Sequence, residues 1–400
     1  MARMTNDVTI IGGGIVGLAT ALALSEQRPD RRITVLDKEH HWGAHQTGHN
    51  SGVIHSGLYY APGGAKARFA RAGGEAMYRF CTDHGIPVRR TGKVVVATST
   101  EQLPRLAELH RRGTANGVQV SELDLIGLRE REPHVRGVRA LLVPDAGITD
   151  FAAVSEKLAE LLTERGVELR PATELLGVRR DGSELVLLTN RGEIRTKQAV
   201  NCAGLHSDAV AEMAGTTPPA RILPFRGEYY ETTSFARDLV NSLVYPVPDP
   251  AFPFLGVHLT RMVDGSLHVG PNAVPALSRE GYRWGAISPA HLRRLVTDPG
   301  LRVLAKKYWR TGAAEIARSA LKPLFLQAAR TLLPDLRSHH LLRSEAGVRA
   351  QAVTPDGTLV DDFLVVEDEH WVHVLNAPSP AATASLLIGK DIAARLDAHR

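Results

Sequence analysis

Cysteine is nearly missing from this chain: 400 residues hold two, Cys81 and Cys202, far apart and in no CxxC pair. That excludes a disulfide framework and a dithiol redox centre, and it fits a reducing, cytoplasmic setting. A block of one charge is missing too. The 48 Lys and Arg against 43 Asp and Glu leave +5 spread along the chain, which suits anionic small molecules and gives no ground for nucleic-acid binding. No apolar run is long enough to span a bilayer. The run from Val8 to Leu24 is broken by Gly12, Gly13, Gly14 and Gly17 and has no charged leader or cleavage site. Internal repeats, low-complexity tracts and long linkers are also lacking, and the length favours two domains.

What is present begins with Asp7-Val8-Thr9-Ile10-Ile11, a β-branched run of the kind that forms a buried parallel strand. It leads into Gly12-Gly-Gly14-Ile15-Val16-Gly17 and an Ala/Leu-rich helix to about Ser25. A second strand, Ile33 to Leu36, ends in Asp37 and Lys38. This is the βαβ dinucleotide fingerprint in order. Gly12 permits the tight turn, Gly14 lets the backbone approach a pyrophosphate at the helix N-terminus, and Gly17 allows close helix–strand packing. Asp37 is placed to accept from a ribose hydroxyl.

The next residues bear on which dinucleotide. No further βα repeat follows; the chain enters the polar loop His45-Gln-Thr47-Gly-His49-Asn50-Ser51-Gly-Val53-Ile-His55-Ser-Gly-Leu-Tyr59-Tyr60. A flavin-disulfide reductase would need a second GxGxxG and a CxxxxC pair, and both are absent. Two later segments return toward the same ligand. One is an apolar strand ending in Ala203-Gly204. The other is Trp371 to Asn376, followed by Ala377-Pro378-Ser379-Pro380-Ala381-Ala382-Thr383 and a helix to about Leu396, whose free N–H groups would face negative charge. Thr47, His49, Asn50, Ser51 and Val53 are assigned to cofactor binding, because short polar groups beside glycines let backbone and side chain approach a phosphate or ribityl chain. His45 has no assigned role.

With these segments in view the chain resembles the D-amino-acid-oxidase-like flavoproteins, and within them the L-2-hydroxyglutarate dehydrogenase/oxidase family. The resemblance covers essentially the whole chain. It rests on Gly12 to Gly17, on His49 to Gly57 with Tyr59 and Tyr60, and on Pro224-Phe-Arg-Gly-Glu-Tyr-Tyr230. It rests further on Val257-His258-Leu-Thr-Arg261, Gly270-Pro-Asn-Ala273, Gly347-Val-Arg349 through Gly357, and Asn376 through Thr383. It implies FAD and an α/β architecture, a Rossmann-like FAD-binding domain interleaved with an antiparallel-sheet substrate domain. The expected boundaries are 4–85, 146–223 and 341–400 for the first and 86–145 and 224–340 for the second. It also implies oxidation of L-2-hydroxyglutarate to 2-oxoglutarate by hydride transfer to flavin N5, with oxygen or a quinone taking the electrons.

That chemistry calls for a cation, a base and a dry pocket. Arg349 is the candidate for the substrate carboxylate, since related amine and amino-acid oxidases place an arginine there and guanidinium offers two parallel donors. A five-carbon diacid needs a second anchor, for which Arg261 or the pair Tyr59 and Tyr60 are candidates. His55, in the loop the family presents to the flavin, and His258, on a strand face opposite Val257 and Leu259, are the two candidate bases. No metal is expected. Alternatives are another 2-hydroxy acid or amino acid as substrate, or a non-catalytic FAD-binding electron-transfer subunit. Residues 291–334 alternate cationic and apolar residues at helical spacing, with Trp309 and Phe325 among them. They are a candidate peripheral contact with an anionic membrane, set against burial on the protein's own core.

Overall fold

The computed structural model describes residues 5–249, 256–283 and 285–398; residues 4, 250–255, 284 and 399–400, which the expected boundaries include, lie outside it. Strand β1 (Asn6–Ile11), helix α1 (Ile15–Gln27) and strand β2 (Ile33–Leu36) form the expected βαβ unit. β1 pairs in parallel with β2 on one side and with Gly192–Asn201 on the other, and Gly192–Asn201 pairs in parallel with Trp371–Asn376. All these strands end at the same edge, the one where open parallel sheets bind ligands. The polar returns after Asn201 and Asn376 therefore meet the glycine turn, although 175 residues separate them in sequence.

α1 is buried on nearly every side, as a helix sandwiched between a sheet and two other helices must be. It packs on the C-terminal helix Ala381–Ala398, where a Cβ on Gly389 would lie 2.5 Å from the Ala19 backbone, so glycine sets the approach of the two helices. Leu18, Leu22, Ile388 and Ile392 fill that interface.

A second eight-stranded sheet runs in the order 341–343, 230–232, 267–270, 258–261, 243–246, 93–97, 139–143, 121–123. It is antiparallel except where Leu243–Pro246 runs parallel to Lys93–Ala97. One face, with Val94, Val96, Val244, Leu259 and Val269, is covered by Phe325, Leu332, Leu333 and Leu336. A three-stranded sheet, 274–275 with Arg221–Gly227 and Gly347–Val353, has no strand in common with either, and Ala352 N donates to the Asn376 side chain at the end of the first sheet. Two expected boundaries are corrected by pairing. Leu341–Arg343 bonds to Tyr230–Thr232 and so belongs to the second sheet, and a cut at 223 would sever the strand Arg221–Gly227.

Residues 289–329 form three helices, Pro289–Thr297, Pro299–Ala320 and Lys322–Ala329, the first two capped by Ser288 and Asp298. Phe325 is fully buried, as the core-packing reading of this segment has it, whereas Trp309 is 63% exposed.

One buried pair clamps the loop that follows residue 275. Arg279 donates from Nη1 and Nη2 to the two carboxylate oxygens of Asp208, at 2.5 and 2.9 Å, and Asp208 also accepts from the backbone of Ile222. Burial raises the Asp208 pKa, and Arg279 with the backbone donors outweighs it, leaving the carboxyl below its ordinary value. The resulting stability is present above the unfolded carboxyl range and is lost as pH falls through the folded value. Arg279→Met, which leaves this carboxylate buried and unpaired, is expected to lower unfolding free energy by about 3 kcal/mol. Urea denaturation at pH 7 checks this; a change under about 0.5 kcal/mol would show a solvated, dispensable pair.

Candidate functional site

A single continuous cavity of about 1050 Å³ runs from the β1–α1 turn to the inner face of the second sheet. That is at or above the usual upper size for a small-molecule pocket, as a site for a large cofactor together with a substrate would be. Gly12, Gly14, Ile15, Val16, Asp37, Lys38, Thr47, His49, Asn50, Ser51 and Val53 line one end. Ala203, Gly204, Pro378, Ser379, Ala381, Ala382 and Thr383 line the middle. His55, Tyr59, Tyr60, His258 and Arg349 line the rest. Two predicted residues are not in the wall. Gly17 packs helix on strand, its Cβ position being 2.0 Å from the Gly12 carbonyl oxygen. Arg261 is spent elsewhere.

At the cradle, Gly12 has φ +107°, and a Cβ there would meet the Cys202 carbonyl oxygen at 2.4 Å, so only glycine fits the turn. Gly14 differs: its Cβ would touch only Thr47 Oγ1, at 3.4 Å, and otherwise point into the cavity. The Ile15 N–H at the start of α1 donates to Thr47 Oγ1 at 3.1 Å, so Thr47 is a helix cap as well as a wall residue. Asp37 accepts from Gly13 N at 2.6 Å and Glu39 N at 2.8 Å; burial nonetheless raises its pKa. Two of its lone-pair sites stay available for a hydroxyl donor. Lys38 is paired with Glu39 and, at 2.8 Å, with Glu280, so it brings no uncompensated charge to the cavity.

The polar loop divides its labour. Asn50 spends its amide inside the loop, donating to Gln46 O and Thr47 O and accepting from Gly52 N, which makes it a former of the wall rather than a free donor. His49 donates from Nδ1 to His45 O at 3.0 Å, with Glu345 3.2 Å from Nε2 and the Tyr282 ring tilted against it. Ser51 lies against the Tyr245 hydroxyl, and the Val53 carbonyl accepts from Thr383 Oγ1. Sequence reasoning missed Gln46, whose Oε1 accepts from Ala350 N at 2.9 Å and ties the loop to the strand of Arg349. It also left out His45, which lines the cavity and bonds Tyr282 Oη at 3.1 Å and Glu39 at 3.0 Å.

These features fit a flavin dinucleotide: a glycine cradle with open volume where a Gly14 Cβ would go, an acid at the end of β2, and three chain returns along one wall. Gly14→Val puts two methyl groups into that volume, and overpacking of about 1–3 kcal/mol corresponds to FAD binding weakened about 10- to 100-fold. The FAD content of purified protein and titration of the apoprotein measure it. Full FAD occupancy in a folded Gly14→Val variant would remove Gly14 from the cradle.

Beyond the cradle the wall turns cationic and aromatic. The strand Gly347–Val353 carries Arg349 opposite Phe225, and the Arg349 guanidinium faces the Tyr229 phenol. Among the described residues no carboxylate pairs with Arg349. His258 donates from Nδ1 to Gly256 O at 3.0 Å, which leaves Nε2 bare, and its ring stacks on Tyr245 at 4.0 Å. Burial, with Arg349 and Lys93 nearby, pushes the His258 pKa down to about 3. The His55 Nε2 sits 3.2 Å from Ser379 Oγ, and the His55 backbone N–H donates to Thr383 Oγ1. Burial, then Lys93 and Arg349, holds His55 well below the ordinary histidine value. Both imidazoles are therefore neutral at pH 7.

Arg261 lies on the other face of the His258–Arg261 strand, three residues from His258, and pairs with Asp238 at 3.1 Å. The period of two in a strand already forbids both side chains from facing one cavity. Lys93, missed from sequence, is buried on the cavity side of the second sheet. Its signal was a lone charge opening the apolar strand Lys93-Val-Val-Val-Ala97.

Comparison with known proteins adds the following. A family model described as FAD dependent oxidoreductase (DAO) matches residues 7–395. The L-2-hydroxyglutarate dehydrogenase of Indibacter alkaliphilus is 46% identical over 388 residues, covering 96% of this chain and 97% of that one. The Escherichia coli protein of that name is 43% identical, covering 98% and 93%. The human mitochondrial one is 40% identical, covering 97% and 88%. Among solved structures, L-alpha-glycerophosphate oxidase from Mycoplasma pneumoniae with FAD bound superposes with a TM-score of 0.79 at 24% identity, over 98% of this chain and 95% of that one. Glycine oxidase from Geobacillus kaustophilus gives 0.72 at 19%, over 98% and 95%.

Proposed function

This chain belongs to the FAD dependent oxidoreductases, and within them to the L-2-hydroxyglutarate dehydrogenases, and on that premise we propose that it oxidises L-2-hydroxyglutarate to 2-oxoglutarate. The observation that carries the reading is the chamber beyond the cradle: an arginine without a carboxylate partner facing two neutral histidines and four tyrosines, Tyr59, Tyr60, Tyr229 and Tyr245. Bound FAD supplies the acceptor for the hydride leaving the substrate C2.

The chain's own residues bind and hold the proton. Arg349 takes the carboxylate next to the reacting carbon and orients C2, and the surrounding rings exclude water. His55 takes the hydroxyl proton as hydride leaves, so charge does not build on the oxygen. Of the two histidines, His55 has an outlet, through the exposed Ser379 that also lies beside the Tyr60 hydroxyl. His258, pinned at Nδ1, offers Nε2 as a fixed acceptor that orients the hydroxyl.

Anaerobic bleaching of the bound flavin by L-2-hydroxyglutarate, with no bleaching by the D enantiomer, is the expected result. Bleaching by an amino acid and by neither enantiomer would select the competing substrate class, and no bleaching by any acid would leave an electron-transfer subunit.

For reoxidation we propose a quinone met at an anionic membrane. Val296, Val303 and Trp309 are exposed among Arg293, Arg294 and Arg302 on the first two helices of residues 289–329, a pattern suited to a lipid surface. Among the described residues no helix is long and apolar enough to cross a membrane, so the contact would be peripheral. Failure to float with anionic liposomes at low salt, together with failure to reduce a soluble quinone, would leave oxygen as the acceptor.

A further inference from the structure

Lys93 is 1% exposed, yet the mechanism above does not use it. It opens the strand Lys93–Ala97, paired with Leu243 on one side and Val143 on the other, and points to the same sheet face as Tyr245 and His258. Among the described residues no carboxylate pairs with it. Its neighbours are ring faces, Tyr245 with its centroid 4.3 Å from Nζ and Tyr59 at 5.2 Å. Aromatic faces hold an ammonium without neutralising it. Beside it, the Tyr59 hydroxyl is buried and has no hydrogen-bond partner, although Tyr59 lines the cavity. A buried cation without a counter-charge and a buried hydroxyl without a partner are both costly, and one incoming carboxylate would satisfy both.

We propose that Lys93 and the Tyr59 hydroxyl form the subsite for the second, distal carboxylate of the substrate, opposite the Arg349 subsite. The inference rests on the proposed function and deepens it, since it explains selection of a dicarboxylate over a monocarboxylic hydroxy acid. The charges of Lys93 and Arg349 both act on His55 and His258, so both cations lie within electrostatic range of the two histidines at which the reacting carbon is placed. Burial brings Lys93 down to about 7, so the empty site holds it poised to lose its proton, and a bound carboxylate keeps it charged.

The test uses the FAD-loaded enzyme and two substrates, L-2-hydroxyglutarate and L-2-hydroxybutyrate, which lacks the distal carboxylate. Lys93→Met is expected to lower kcat/KM for the diacid about 100-fold, mainly through KM, and to change the monoacid less than about 3-fold. Tyr59→Phe, which removes only the hydroxyl and keeps the ring, is expected to show the same selectivity at about 10-fold and covers the case in which the methionine variant does not fold. In the wild type, kcat/KM for the diacid falls above pH 7 as Lys93 loses its proton, and Lys93→Arg moves that limb upward. Losing the buried charge leaves the melting temperature equal or higher. Equal losses on both substrates, an unchanged diacid rate, or a marked fall in melting temperature with selectivity intact would each overturn the subsite. A wild-type enzyme that bleaches with neither substrate overturns the functional reading instead, and this subsite with it.

Discussion

Replacing Arg349 with methionine is expected to lower kcat/KM for L-2-hydroxyglutarate about 1,000-fold while FAD stays bound. The guanidinium stands on a strand fixed by pairing with Arg221–Gly227, and the Gln46 side chain holds the next residue, Ala350. Its position is thus set without the substrate. Because no carboxylate of the described residues competes for it, its donors are free for an incoming carboxylate, and bound cofactor and substrate would cover a guanidinium that stands exposed on the cavity wall. Removing one side of such a desolvated pair costs about 3–5 kcal/mol, and about 4 kcal/mol is a factor near 1,000. Arg349→Lys keeps the charge but loses the second parallel donor, so a smaller fall, about 30-fold, is expected. Anaerobic stopped-flow reduction against substrate concentration separates binding from chemistry. A loss below tenfold with full FAD content would end the assignment of Arg349 to the carboxylate.

His55→Ala is expected to lower kcat about 1,000-fold, within the 10²- to 10⁴-fold typical of a lost general base, and to leave KM within a few-fold. His258→Ala, which removes an orienting acceptor, is expected to lose less and to raise KM. The pH profile carries an independent signature. Catalysis needs neutral imidazole, and burial with two cations nearby holds the His55 pKa well below 6.5. The acidic limb of kcat/KM should therefore lie well below the ordinary histidine range, with full activity still present at pH 6. An acidic limb at 6.5 or above would mean that a solvated histidine, or another group, takes the proton. Full turnover in His55→Ala would pass the role to His258.

The cradle was legible because its information is local. Strand, glycines, helix and acid follow within forty residues, and each acts through backbone geometry that a short window encodes. The resemblance pointed to Arg349 and both histidines as site residues, and the fold brings all three to one cavity wall. The errors have a common origin. Arg261 was read by its charge, without the alternation that puts it on the face opposite His258 and beside Asp238. Asn50 is assigned to cofactor binding from its residue type alone; it lines the cavity, but the loop uses its amide internally. Phe325 lies in the stretch weighed between a membrane face and the protein's own core, and its burial under the second sheet puts it with the core, a choice that helical spacing alone could not make.

By itself, then, the amino-acid order determined a flavin-type dinucleotide cradle and the α/β class, and through the resemblance it pointed to Arg349 as the proposed carboxylate site. Only the tertiary structure decided that Lys93 is a desolvated cation beside an orphaned hydroxyl, that both histidines are neutral, and that His45 and Gln46 belong to the wall. The reason is that a glycine turn is defined by neighbours in sequence. The charge state and free valence of a side chain are defined by neighbours in space, and the segments carrying Lys93, Tyr245, His258 and Arg349 meet only when the sheets close around the cavity.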